Sequence, residues 1–211
     1  PTRRSSDLRK KRSSRIRYVY LVKERKIKMT EIDIKSPEDI LEYMKENIRY
    51  GWLDINNEEH IGNLKDVRRL YRTASIEETL EHKLGTCIEQ VNLMHYFLDM
   101  LGIPNKMFCT RVYEKDDFND LDAEEHMHCF VLYYQDTKEG KVHQVEHPNG
   151  ERIGIYHFAS EKEAIEKINA IYEEMADGVA RPVTEYPTVI PNQTFKEFNA
   201  YINSFDNSKQ K

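Results

Sequence analysis

The chain has 211 residues, 33% charged and 39% hydrophobic, with 13 Tyr, 8 Phe and a formal net charge of −5. That length suits one domain or two small ones, and the aromatic content can furnish a core, which excludes bulk disorder and collagen-like repeats. Only 3 Cys exclude a disulfide scaffold and point to a reducing cytoplasm, and no run approaches the ~20 apolar residues that cross a bilayer, so no membrane role is expected.

The charge is uneven. Residues 1–28 hold 12 Lys/Arg against Asp7 and Glu24, while the remainder holds 20 against 35 acids, a net of −15. A basic arm of that kind commonly binds nucleic acid or anionic lipid. A plainer reading starts from Pro1 to Leu8, PTRRSSDL, which back-translates to the end of a sequencing adaptor. Residues 1–28 are then expected to be a non-native or disordered basic leader, with the native start at Met29. The acidic remainder repels phosphate, so no nucleic-acid partner is expected.

In chain order, Ser36-Pro37-Glu38-Asp39 reads as a helix start, with Ser as N-cap and Pro at N1. Ile40, Leu41, Met44 and Ile48 follow at helical spacing and stop near Gly51. Residues 51–65 read as loop. Ser75-Ile76-Glu77-Glu78 opens a short helix with a capping box that ends by Gly85. A third helix is expected over 86–101, with Ile88, Val91, Met94, Leu98 and Leu101 as its apolar stripe, closed by Gly102 and Pro104.

Strands are expected at 106–113, 126–135, 141–145 and 153–158. Between the first two lies an acidic stretch, residues 114–125, with seven acids in twelve positions. It is expected to be a solvated loop near the rim of the strand at 126–135; selection of cationic substrates is the alternative. Ser160 caps a helix with Ile165, Ile168 and Ile171 on one face, and a last helix starts at Thr194 with Glu197 at N3. The expectation is one α+β domain over 29–203, followed by a polar tail at 204–211.

Gly85-Thr86-Cys87 is where chemistry concentrates. It sets a cysteine in the first turn of an amphipathic helix, where unpaired N–H groups and the helix dipole depress a thiol pKa and can hold an oxyanion. The alternative is a buried packing cysteine. In HMHCFVLYY the period of two puts His126, His128, Phe130 and Leu132 on one face. A histidine on so apolar a face is either satisfied by a neighbour or functional. Glu146 closes the next strand, where a carboxylate can orient a histidine beside it. Thiol, base and acid in that order are what a thiol acyl-transfer enzyme needs.

These residues resemble the transglutaminase-like superfamily, and more narrowly bacterial transglutaminase-like domain proteins. The shared elements are Tyr50–Asp54 (YGWLD), Tyr71-Arg72, Gly85–Gln90 (GTCxxQ), His128–Phe130 (HxF), Val145-Glu146-His147, and Arg152-Ile153-Gly154-Ile155 in place of an RGI-like element. The resemblance covers roughly residues 37–175. The resemblance implies a papain-like α+β core with a cysteine-bearing helix packed on an antiparallel sheet. It implies Cys87 as nucleophile, His128 as general base and acid, and Glu146 as third member. The superfamily more often has Asp there, followed by Pro; here His147 intervenes before Pro148, so His147 is a second candidate for that place. The usual Trp of the third strand is replaced by Val142 or His143.

The expected substrate is a peptide or protein amide, cleaved through an acyl-Cys87 that water resolves; no cofactor or metal is expected, and independence from calcium is. Transfer to an amine, or a silent interaction domain, are the alternatives, and the oligomeric state is left open. Gln90, one turn beyond Cys87, and Trp52 are candidates to line the substrate cleft, Trp52 alternatively as a buried anchor. Zinc is the rival ligand, from Cys87, Cys109, Cys129, His126, His128, His143 and His147. Against it, there is no C-x₂-C pair.

Overall fold

The computed structural model describes residues 32–114, 125–146 and 152–206. The expected leader at 1–28, Met29, residues 115–124 of the acidic stretch, His147, Pro148 and residues 207–211 of the tail lie outside the described residues. The described elements run α1 (Pro37–Asn47), β1 (Arg49–Asp54), β2 (Glu59–Ile61), α2 (Val67–Leu70), β3 (Tyr71–Arg72), α3 (Ile76–His82), β4 (Leu84–Gly85) and α4 (Cys87–Met100). They continue as β5 (Asn105–Tyr113), β6 (Glu125–Tyr134), β7 (Val142–Glu146), β8 (Gly154–Phe158), α5 (Glu161–Ala176), β9 (Val179–Ala180), β10 (Thr184–Tyr186) and α6 (Phe195–Ser204).

The helix starts are set by their caps. Ser36 Oγ accepts from the Asp39 N–H at 3.2 Å, with Pro37 at N1, where a missing N–H costs nothing. Ser75 with Glu78, Thr86 with Glu89 and Thr194 with Glu197 each form a reciprocal capping box. Each box satisfies two backbone donors that would otherwise have no partner in the helix.

Residues 51–65 are not loop throughout: β1 and β2 form a hairpin there. Asn57 takes φ 67 at the turn, and Asp54 Oδ1 accepts from the N–H groups of Asn56 and Glu58. Gly51 sits within the strand, where an added Cβ would lie 2.4 Å from the His60 carbonyl oxygen. The glycine that reads as a stop is therefore a close-approach point between two strands.

A small sheet carries β1 between β2 and β3, with β4 parallel to β1. The larger sheet is antiparallel, in order β10-β5-β6-β7-β8, with β9 also on β5. Its two faces separate as the period of two requires. Met107, Cys109, Cys129, Val131, Tyr133 and Val145 pack with Val91, Leu93, Met94 and Leu98 of α4, while Phe108, Phe130, Leu132, Val142 and Phe158 pack with Ala164 and Ile168 of α5. A fully buried side chain of this size contributes about 1.5–3 kcal/mol. Among the described residues no helix is long and apolar enough to cross a membrane.

Ser204 ends α6, and Asp206 reaches Arg111 of β5 at 3.3 Å.

Candidate active site

The cysteine turn is built from its neighbours. Thr86 is the N-cap of α4, and its hydroxyl oxygen accepts from the Ile88 N–H at 3.2 Å. Glu89 reaches back to the Thr86 N–H at 2.9 Å and accepts from the Thr86 hydroxyl at 2.6 Å. The same buried carboxylate accepts from the Ala74 N–H and from the Tyr71 hydroxyl, so four donors share one charge. A side chain at Gly85 would meet Glu89 Cβ at 2.7 Å. Glycine is required there for the turn to close.

Those constraints deliver Cys87 to the face of the larger sheet, its sulfur 4.0 Å from the Met127 carbonyl oxygen. His128, next along β6, is buried. Its Nε2 lies 3.4 Å from Glu146 Oε1, an ion-pair distance, and both Glu146 and Cys87 act to hold the imidazole proton. The strand register explains the meeting. Val131 pairs with Val145, so one step on, Glu146 stands opposite Phe130, on the face of His128 and diagonal to it. Tyr172 of α5 lies flat on the imidazole with ring centroids 3.8 Å apart, and the Gln144 side-chain amide donates to Glu146 Oε2.

Burial lowers the His128 pKa, but the bonds to Cys87 and Glu146 and the Glu146 charge outweigh it, and the imidazole is pushed up to about 9. Cys87 moves against the expectation of a depressed thiol. The neighbouring Cys129 thiol, then burial, push it well above its ordinary value, and His128 only partly pulls it down. The helix N-terminus does not override a thiol neighbour and burial together. At rest both partners hold their protons.

Beside Cys87 opens a pocket of about 300 Å³. Thr86, Tyr71, Met127 and Phe195 are among its walls, with Arg68 and His126 as the basic side chains among the described residues.

The sequence profile of the transglutaminase-like superfamily matches residues 22–141, more than half of the chain. The chain belongs to the transglutaminase-like superfamily. Among curated proteins no sequence matches it. The superfamily generally contains cysteine enzymes, and its matched span here includes Cys87 and His128, with Glu146 just beyond. The α+β domain with a cysteine-bearing helix on an antiparallel sheet is the fold expected of a member.

Two cleft candidates stand elsewhere in this transglutaminase-like domain. Trp52 is 1% exposed, stacked on His60 at 4.0 Å, with its indole N–H donated to the Asn63 carbonyl at 2.8 Å. It anchors the β1–β2 hairpin and is not among the described residues that line the pocket beside Cys87. Gln90 is fully buried and donates to the Gly85 carbonyl at 2.8 Å, bracing the turn before Cys87 from behind. Sequence reasoning missed three supports. Glu89 is signalled by the Thr86-x-x-Glu89 capping pattern, and Gln144 by its place two residues before Glu146 on one strand face. Tyr172 has no local signal, since only the packing of α5 brings it to His128.

Asp54, Glu58 and His60 are the described residues placed to hold a cation, with ligand atoms within 4.8 Å of one another. Asp54 already accepts two backbone N–H groups and lies 3.2 Å from His60, and none of the three lines the Cys87 pocket. Of the zinc candidates, His143 spends both ring nitrogens, one on the Gln135 carbonyl and one on His157.

Proposed function

We propose that this chain is a cysteine-dependent acyl-transfer enzyme that hydrolyses peptide or protein amides. The observation that carries the reading is the grouping of three buried side chains: Cys87, whose sulfur lies 4.0 Å from the backbone carbonyl just before His128, His128 itself, and Glu146, whose Oε1 lies 3.4 Å from His128 Nε2. With Nε2 turned to the carboxylate, Nδ1 is the nitrogen left for the thiol. In the form of the pair that has already lost one proton, His128 takes the Cys87 proton, the sulfur bonds to the amide carbon, and charge develops on the carbonyl oxygen. Thr86 already occupies the N–H groups of Ile88 and Glu89, so the nearest oxyanion donor is the N–H of Cys87 itself. His128 then protonates the departing nitrogen as the C–N bond breaks. Water, deprotonated by His128, resolves the acyl-cysteine and restores the thiol.

Buried free thiols at Cys87, Cys109 and Cys129 suit a reducing compartment such as the cytoplasm. A silent interaction domain is favoured by one observation, the raised pKa of the buried Cys87 thiol.

Treatment with p-nitrophenyl acetate separates the readings. The enzyme reading expects a burst of nitrophenolate with acetyl on Cys87 by intact mass, absent in Cys87→Ala and slowed at least about 10²-fold in His128→Ala. Acetylation no faster than that of unfolded chain would leave the silent domain standing. Added cadaverine that captures most of the acetyl group as amide would replace hydrolysis by transamidation.

A further inference from the structure

The pocket beside Cys87 is not used by the relay itself. At about 300 Å³ it lies at the small end for ligand sites, room for about ten water molecules. Thr86 and Cys87 line it and His128 does not. That placement decides which half of a substrate enters. A leaving nitrogen has to lie against His128, which protonates it, so the acyl half extends to the other side of the sulfur. The pocket is on the acyl side.

Among the described residues that line it, the charge has one sign: Arg68 and His126 are there and no Asp or Glu is. The Arg68 guanidinium stands over the Phe195 ring, 5.6 Å from its centroid, so an aromatic wall carries the cation at the pocket edge. The positive end of the α4 dipole opens on the same wall at Thr86 and Cys87. Glu89, the acid of that helix end, is turned inward to Tyr71, Thr86 and Ala74. The remaining walls include apolar Leu64, Val67 and Ile88.

We propose that this pocket selects an acyl group bearing a carboxylate, such as a glutamyl or aspartyl residue on the acyl side of the scissile amide, with Arg68 as the residue that reads the charge. The inference rests on the acyl-transfer reading above.

Two chloromethyl ketones that differ only in charge test it, acetyl-alanyl-glutamyl and acetyl-alanyl-glutaminyl. Each is attacked at its methylene carbon by the Cys87 thiolate; a C–S bond forms, the C–Cl bond breaks and chloride leaves. Labelling of Cys87 is followed by mass spectrometry at low salt on the full chain. The glutamyl reagent is expected to react about tenfold faster, the effect of one charge-assisted hydrogen bond. Arg68→Ala should bring the two rates together, Arg68→Lys should keep part of the preference, and added salt should narrow it. Equal rates in the wild type, or a preference that survives Arg68→Ala, would overturn the charge assignment. If neither reagent labels Cys87 faster than it labels N-acetylcysteine, the acyl-transfer reading fails and takes the pocket assignment with it.

Discussion

His128 is where burial and charge are most closely opposed. A buried imidazole ordinarily loses its proton, yet Cys87 and Glu146 hold it on this one and push it up to about 9. The reactive pair carries one proton, and at neutral pH the resting pair carries two. Cys87 labelling by iodoacetamide should therefore climb with pH through about 9 in the wild type. In Glu146→Gln the anion is gone, so the limb should move down toward the ordinary ~6.5 of histidine, and acyl transfer should fall about 10²-fold as the ring loses its anchor. The sign for stability follows the same shift. A folded-state pKa above the unfolded one stabilises fully below pH ~6.5 and is lost as pH rises through about 9. Guanidinium melts should show the wild type ahead of Glu146→Gln by about 2–3 kcal/mol at pH 6, with the gap closing by pH 10. A pH-independent gap would assign Glu146 a packing role alone. Cysteine, histidine and acid were legible in sequence because those residue types have few reasons to sit on a helix start and an apolar strand face. Tyr172 was not, because a tyrosine on a helix face carries no mark of the imidazole it covers.

At the scale of elements, the caps carried the most information. Ser36, Ser75, Ser160 and Thr194 each read as an N-cap and each is one, because a side-chain oxygen before an apolar run answers a local need that needs no tertiary contact. The short strands β3, β4, β9 and β10 have no such local cause; pairing partners far along the chain create them. The hairpin of β1 and β2 was hidden by Gly51, and Asn56-Asn57 was the overlooked turn signal. The cap at α4 does more than start a helix. Glu89 holds Thr86, Ala74 and Tyr71 at once, so it fixes the cysteine turn to β3 and the segment after it. Glu89→Gln replaces one acceptor oxygen by a donor that faces donors. It should cost about 2–3 kcal/mol in denaturant unfolding and slow acetylation of Cys87, with Thr86→Ala costing about 1 kcal/mol. Unchanged stability in Glu89→Gln would mean that the carboxylate is not the hub of this helix start.

At the scale of the whole molecule, the polar end of the chain has a structural task that its composition conceals. Arg111 of β5 and Asp206 beyond α6 are 0% and 3% exposed at their side chains and 3.3 Å apart. Arg111 also donates to Asn203 of α6 and to Thr184 of β10. The bond spans 95 positions of sequence and pins α6, whose Phe195 walls the Cys87 pocket, to the strand beside that of His128. SFDNSKQK reads as a tail because all but one of its residues are polar or charged; that Asp206 meets a buried guanidinium depends on where β5 passes, which local pattern does not record. A buried ion pair adds little net stability while intact, since desolvation offsets the attraction, but breaking it leaves one charge dry. Asp206→Ala should therefore lose about 3–5 kcal/mol, whereas the double variant Arg111→Met with Asp206→Ala should recover most of that loss. Denaturant melts of the two single variants and the double give the coupling. Because α6 forms a pocket wall, Asp206→Ala should also weaken discrimination between the two chloromethyl ketones before it changes the Cys87 acetylation rate. Additive losses in the double variant would reduce the pair to two independent packing residues.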